Sequence, residues 1–226
     1  MGDRSPRALV TGRLALLHTS PAHIPVFDAL AEEAHQGLEL RHFVREALLE
    51  RAGREGPDAV TDEVRALLDT AVAEGADAVL CTCSSIGGVA ESAGTAVPVL
   101  RVDRPMAAAA VAAGPRITVL ATVSSTLAPT RALVEEEAHR AGREADVRTL
   151  LVPDAWSHFR AGDTEAYASA VARGADAVTD ADAIVLAQAS MTPAQDLVTT
   201  AVPVFSSPRL GLAAAARAVA SGSPSG

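Results

Sequence analysis

Apolar positions in this chain follow two rhythms. Leu14-Ala15-Leu16-Leu17 and Ile117-Thr118-Val119-Leu120-Ala121 are nearly continuous apolar runs, the pattern of strands buried on both faces of a parallel sheet. Over Pro21 to Glu33, Thr61 to Glu74, Leu127 to Ala141 and Thr164 to Thr179 the spacing lengthens to that of amphipathic helices. Further strands are predicted over Leu38 to Val44, Ala78 to Thr82, Val147 to Val152 and Ala183 to Leu186, with short ones at Val97-Pro98-Val99 and Val202-Pro203-Val204. Ser84-Ser85 and Gly87-Gly88 read as a turn into the helix after the third strand. Ala107 to Ala113 begins a helix crossing between halves, Leu210 to Ala220 forms a terminal Ala-rich helix, and the small, polar Ser221 to Gly226 reads as a frayed tail.

The pattern is used twice. Gly75-Ala76-Asp77-Ala78-Val79-Leu80-Cys81-Thr82-Cys83-Ser84-Ser85 is repeated by Asp182-Ala183-Ile184-Val185-Leu186-Ala187-Gln188-Ala189-Ser190. Matching Asp77 with Asp182 also matches Cys83 with Gln188 and one Val-Pro-Val with the other. Leu14 to Ser20 matches Ile117 to Val123 at nearly the same offset. The expected fold is therefore α/β, with two pseudo-symmetric Rossmann-like lobes, each a mainly parallel four-stranded sheet flanked by helices. Residues 1–104 with 208–226 would form the first lobe and 105–207 the second.

In such sheets ligands bind beyond the carboxyl ends of the strands. Those ends carry His18-Thr19-Ser20, Cys83-Ser84-Ser85, Thr122, Ser124-Ser125-Thr126, Gln188 and Ser190. Lobes facing each other would bring Cys83 and Gln188 to a ligand from opposite sides, so the inter-lobe cleft is the expected site.

Composition narrows the partners. The 226 residues are 49% hydrophobic and 21% charged, enough to bury a substantial core; an aromatic content of only 3% makes that core small and aliphatic. No run of eighteen apolar residues occurs, and Met1 to Pro6 lacks the layout of a secretory signal, so the expectation is a cytoplasmic protein with no membrane partner. A net charge of −9 without a Lys/Arg cluster argues against nucleic acid; a carboxylate ligand would need local donors such as helix N-termini. Cys81 and Cys83 are too close in sequence for an easy mutual disulfide and read as reduced thiols. No second ligand pair makes them a metal site, and no Gly-x-Gly-x-x-Gly follows the first strand, so neither a metal nor a nucleotide cofactor is expected.

The Asp77 to Ser85 and Asp182 to Gln188 segments resemble the two catalytic-cysteine segments of the aspartate/glutamate racemase superfamily, which includes hydantoin racemases, maleate isomerases and arylmalonate decarboxylases. The resemblance covers nearly the whole chain. It implies a cofactor-free, homodimeric enzyme acting next to the carboxylate of a small acid, with two cysteines on opposite faces of the reacting carbon. Gln188 stands where the second cysteine is expected, and an amide exchanges no proton near neutral pH. The resemblance then leaves Cys83 as the single catalytic thiol, in an isomerase, or in a decarboxylase of a malonate-type acid. A binding protein that kept the cleft without the chemistry is the third reading.

Enolate-like charge would be met by Thr19, Ser20, Ser84, Ser85, Thr122, Ser125, Thr126, Ser190 and the Gln188 amide. Each hydroxyl has a plainer role as a helix cap. Gln188 is either a structural hydrogen-bonder or an amide that orients a carboxylate. His18 is either an acid or cation in the cleft or a hydrogen-bonded strand-end histidine. Cys81, inside its strand, is expected to be core. Arg104 either meets a substrate carboxylate or pairs with Asp103, and Trp156 and His158 are expected in a loop.

Overall fold

Strand β1 (Gly12–His18) buries every side chain from Leu14 to His18. The structure, a computed structural model, describes residues 11–222. The N-terminal stretch read for a targeting signal and the tail beyond residue 222 lie outside them. After β1 come α1 (Ile24–Ala34), β2 (Leu38–Val44), α2 (Glu46–Glu55), α3 (Thr61–Ala73), β3 (Ala78–Cys81), α4 (Ser84–Glu91) and β4 (Val99–Arg101). The second half repeats the order with α5 (Arg104–Ala113), β5 (Arg116–Ala121), α6 (Leu127–Arg140), β6 (Asp146–Leu151), α7 (Ala155–Arg160), α8 (Thr164–Asp176), β7 (Ala183–Leu186), β8 (Val204–Phe205) and α9 (Ser207–Gly222). Both sheets are four-stranded and parallel throughout, ordered β2-β1-β3-β4 and β6-β5-β7-β8.

Period-two alternation divides each central strand between two helical layers. In the first sheet Ala15, Leu17, Val79 and Cys81 face α3 and α4, whereas Leu14, Leu16, Ala78 and Leu80 face Phe27 of α1 and Leu212, Ala215 and Val219 of α9. In the second, Ile117, Val119 and Val185 meet Met106 and Ala110 of α5 and Leu133 and Val134 of α6; Leu120, Ile184 and Leu186 meet Tyr167 and Val171 of α8. Truncating one of these leucines to alanine would cost about 2–5 kcal/mol, because small neighbours leave little to collapse into the hole.

The repeat seen in the sequence is built with matching bonds. Asp77 accepts from the Arg13 backbone N–H at 2.8 Å, and Asp182 from that of Arg116 at 2.9 Å, so each aspartate ties the start of one strand to its neighbour. Val79 N–H donates to Pro98 O and Ile184 N–H to Pro203 O, both at 2.9 Å. Proline offers an acceptor without a donor there, so each Val-Pro-Val enters its edge strand only at the last valine.

Four local expectations are corrected. Residues 46–55 form a helix the pattern concealed, because only Leu48 and Ala52 make its buried stripe. Gly87 and Gly88 lie inside α4 and do not form a turn: a Cβ on Gly87 would stand 3.1 Å from Arg101 Cβ, so the glycine lets the helix close onto Arg101. Trp156 and His158 belong to α7, where Ala155 is fully buried and the Trp156 ring stacks on Phe159 at 4.7 Å. Ser221 and Gly222 complete α9 as the beginning of the expected tail.

Candidate active site

Cys83 and Gln188 occupy equivalent positions in the two lobes. Each is the extended N-cap residue after a central strand, with φ −109° and ψ 116° at Cys83 before α4, and φ −123° and ψ 137° at Gln188 before the 3-10 segment Ala189–Asp196. The next residue on one side reaches the preceding residue on the other: Ser84 Oγ donates to Ala187 O at 3.5 Å. The ends of β3 and β7 therefore meet across the lobes. Cys83 is 8% exposed and packs with Ile86 and its neighbours on the α3–α4 face. Cys81 is fully buried, and burial, reinforced by nearby Cys83, pushes its thiol well above the ordinary range. It stays a neutral S–H donating to Cys83 O at 3.7 Å, a core residue that supports the strand end.

Gln188 faces inward through its carbonyl. Oε1 accepts from Thr122 N–H at 2.7 Å, Thr122 Oγ1 at 2.9 Å and Val123 N–H at 3.3 Å. Backbone nitrogens only donate, so the atom facing them is the oxygen, and the amide nitrogen points away. One hydrogen-bond direction follows for the rest. Thr122 spends its proton on Gln188 and so accepts from Tyr167 at 3.2 Å, and Tyr167 then accepts from Ser190 at 2.9 Å. Tyr167 is 1% exposed; burial raises its pKa, and it stays a neutral donor.

His18 lies on the first lobe's other face, fully buried. Nδ1 is 2.8 Å from Thr82 Oγ1 and Nε2 is 2.9 Å from His42 Nδ1; His42 Nε2 in turn is 3.0 Å from Asp28 Oδ1. Burial, then the neighbouring His42 and His23, press its pKa down to about 3. His18 is neutral at physiological pH, a strand-end hydrogen-bonder and not a cation. His23 is also held below its usual value by burial, and its Nδ1 has no hydrogen-bond partner among the described residues.

The remaining expected residues divide. Thr19 is buried at the end of β1, and Ser20 accepts from Ala22 N–H at 3.3 Å, capping the turn into α1. Ser85 is half-buried beside Ser84. Thr126 donates to Val123 O at 2.7 Å, while Ser125 is exposed. Arg104 does not pair with Asp103, which takes both bonds of buried Arg101 at 2.7 and 2.9 Å. It pairs with Glu91, Glu136 and Glu137, along an open cavity of about 530 Å³ that Cys83 and Gln188 do not line. Among the described residues no three His, Cys, Asp or Glu side chains converge to hold a metal ion, and no helix is long and apolar enough to cross a membrane.

Sequence reading missed Tyr167, His23 and His42. Tyr167 is the chain's single tyrosine, set in an Ala-rich helix, which was a usable signal. The histidines gain meaning only from the register of β1 with β2 and β3.

The fold recurs among solved structures. Glutamate racemase from Thermus thermophilus, in complex with beta-chloro-D-alanine, superposes with a TM-score of 0.68 at 20% identity over 96% of this chain and 85% of its own. Allantoin racemase from Klebsiella pneumoniae gives 0.62 at 20% identity over 94% and 89%. A glycine-to-cysteine mutant of arylmalonate decarboxylase, in a sulfate-associated form, gives 0.62 at 21% identity over 94% of each chain. No curated protein matches the chain. Residues 54–215, spanning the strand ends with Cys83 and Gln188, match the model of the Asp/Glu/Hydantoin racemase family. That span holds the second sheet and the β3–β4 half of the first, well over half of the 226 residues, and the chain belongs to the Asp/Glu/hydantoin racemase family.

Proposed function

We propose that this protein is a cofactor-independent enzyme acting at the carbon α to the carboxylate of a small acid, with Cys83 as its single catalytic thiol. The observation that carries the reading is the pairing of the two N-cap positions, Cys83 and Gln188, across the Ser84–Ala187 contact. In the proposed reaction the thiolate removes the α-proton, or the thiol delivers one to the α-carbon, and the enediolate between is held by donors. Thr19, Ser20, Ser84 and Ser85 supply them from the first lobe. Ser125 and Thr126 complete the set from the second lobe, while Thr122 and Ser190 act through Gln188.

An amide opposite the thiol favours protonation from one face only. Decarboxylation of a malonate-type acid fits this: the C–C bond breaks, carbon dioxide leaves, the electron pair remains as the enediolate, Cys83 protonates the carbon, and water restores the thiol. Isomerisation with Cys83 alone returning the proton is the other form of the same reading. The setting proposed is cytoplasmic, with a homodimer as the working assembly.

The test is turnover of a panel of small mono- and dicarboxylates in deuterated water, followed by NMR. Wild type is expected to exchange an α-proton or release carbon dioxide from at least one acid, and Cys83→Ala to lose that activity by about 10²–10⁴-fold with an unchanged melting temperature. Equal rates in the two proteins would overturn the proposal, and binding without turnover in wild type would replace it with the binding-protein reading.

A further inference from the structure

We infer that Thr82, His18, His42 and Asp28 form a proton-uptake site with two states: one proton arriving from solvent at the Asp28 end reverses the hydrogen-bond chain and turns the Thr82 hydroxyl at the end of β3. The chain runs inward from the surface. The Asp28 side chain is 55% exposed and that of His42 16%, whereas His18 is fully buried and Thr82 is 2% exposed. The ring planes of His18 and His42 differ by 18°, and with centroids 5.1 Å apart their contact runs from one ring nitrogen to the other.

Counting protons defines the two states. Four contacts need one proton each: Thr82 Oγ1 with Leu17 O at 3.2 Å, Thr82 Oγ1 with His18 Nδ1 at 2.8 Å, His18 Nε2 with His42 Nδ1 at 2.9 Å, and His42 Nε2 with Asp28 Oδ1 at 3.0 Å. With both imidazoles neutral and Asp28 ionised, the hydroxyl and the two rings bring three protons. One contact must go without. Emptying any contact that involves a ring nitrogen sets two lone pairs face to face at 3.0 Å or less, and at Asp28 one of them belongs to a carboxylate. The contact with Leu17 O is the longest, and that carbonyl already accepts from Thr82 N–H at 3.0 Å. The neutral chain therefore points outward: Thr82 donates to His18, His18 through Nε2–H to His42, and His42 through Nε2–H to Asp28.

A fourth proton fills every contact. His42 then donates to both Asp28 and His18, His18 carries its hydrogen on Nδ1 and donates to Thr82, and Thr82 donates to Leu17 O. The proton taken from solvent stays with His42 and Asp28, while His18 only exchanges one N–H for the other. Burial, which presses the His18 pKa down to about 3, keeps that ring neutral in both states. The other groups against His18 are Phe27, at 5.8 Å between ring centroids, and His23, at 6.1 Å, which burial likewise holds below its usual pKa. What the added proton changes is the tie between two strand ends, since Leu17 O in β1 gains a second donor from the residue just before Cys83. None of this depends on the proposed chemistry.

Nitrogen-15 NMR of the histidine rings in the full chain, followed from about pH 8 to about pH 5, tests the site. Wild-type His18 should pass from the Nε2–H to the Nδ1–H tautomer as His42 becomes an imidazolium. The Thr82 amide signal should move with the same midpoint, because it shares Leu17 O with the turning hydroxyl. Asp28→Asn keeps an oxygen for His42 Nε2–H and removes the charge that holds the added proton, so the midpoint should fall by about one pH unit. Cys83→Ser should leave all these signals as in wild type, so failure of the catalytic reading and failure of the proton site give different results. A His18 that keeps one tautomer throughout would overturn the inference, as would a His18 imidazolium at the acid end. A Thr82 amide that stays still while His18 changes, or an Asp28→Asn midpoint equal to that of wild type, would overturn it too.

Discussion

His18 Nδ1 stands 2.8 Å from Thr82 Oγ1, joining the ends of β1 and β3 by a buried polar contact. The second lobe has no such contact, because the matching positions are Ala121 and Ala187, both buried. The duplicated scaffold therefore carries different chemistry behind its two strand ends. Behind Cys83 lies a chain from Thr82 through His18 and His42 to Asp28; beside Gln188 lies the hydroxyl chain through Tyr167.

The histidine chain makes stability depend on pH. His18 and His23 both have folded-state pKa values below their unfolded ones, so the unfolded chain binds more protons as pH falls through about 6.5. Their contribution is complete at neutral pH and is lost on acidification. Facing His18 are His42, His23 and Thr82, with Asp28 beyond His42. With His18 titrating near 3 when folded, wild type should lose about 2 kcal/mol of stability from this residue between pH 7 and pH 5. Urea unfolding at both pH values should show His18→Asn, whatever its starting stability, losing about that much less. Equal losses in the two proteins would contradict a buried neutral His18.

The two adjacent glycines of α4 should respond oppositely to alanine. A Cβ on Gly88 meets Arg101 Nη1 at 3.6 Å, an ordinary contact, so Gly88→Ala should gain about 0.5–1 kcal/mol from helix propensity. On Gly87 it would stand 3.1 Å from Arg101 Cβ and 3.2 Å from Nε, and Arg101 is held by two bonds to buried Asp103. Gly87→Ala should therefore cost about 1–2 kcal/mol, and thermal melts should move in opposite directions by a few degrees. A stabilised Gly87→Ala would mean that Arg101 is freer than its contacts imply.

That contrast marks what was legible beforehand. Continuous apolar runs at Leu14 and Ile117, and the recurrence of Asp77 to Cys83 in Asp182 to Gln188, were enough for two parallel four-stranded sheets built on one repeated pattern. Period and repetition are properties of the chain itself. Gly87-Gly88 misled because a glycine pair usually marks a turn, and only the approach of Arg101, fourteen positions on, makes it helical. Helix α2 was hidden by its thin apolar stripe. The role of Gln188 was out of reach for another reason: its main partners are backbone N–H groups, which leave no trace in residue identity.

Tyr167 should be coupled to Gln188 although the two side chains do not touch in the hydrogen-bond chain. Tyr167→Phe removes the donor to Thr122 and the acceptor of Ser190, leaving part-buried hydroxyls unmatched, at a cost of about 1–2 kcal/mol. In a thermodynamic cycle with Gln188→Ala, the double variant should lose less than the sum of the single losses, by about 0.5 kcal/mol or more, because either change alone already breaks the run of aligned hydroxyls. Strict additivity would show that Thr122 does not transmit between them.

The two cysteines should separate by reactivity in the folded protein. Cys81 is sealed in β3, and burial holds its thiol protonated, so alkylation there has to await unfolding of the strand. Cys83, two residues on, has left the strand, stands at the N-cap position of α4 and keeps 8% of its surface exposed, so small openings at the meeting of the lobes suffice to reach it. Iodoacetamide followed by peptide mass spectrometry should place the native-state label on Cys83, with Cys81 modified only after denaturant is added. Gln188→Ala, which loosens the opposite wall and leaves β3 untouched, should speed labelling of Cys83 and leave Cys81 protected. Native labelling of Cys81 at the rate of Cys83 would contradict the strand end on which the proposed chemistry depends.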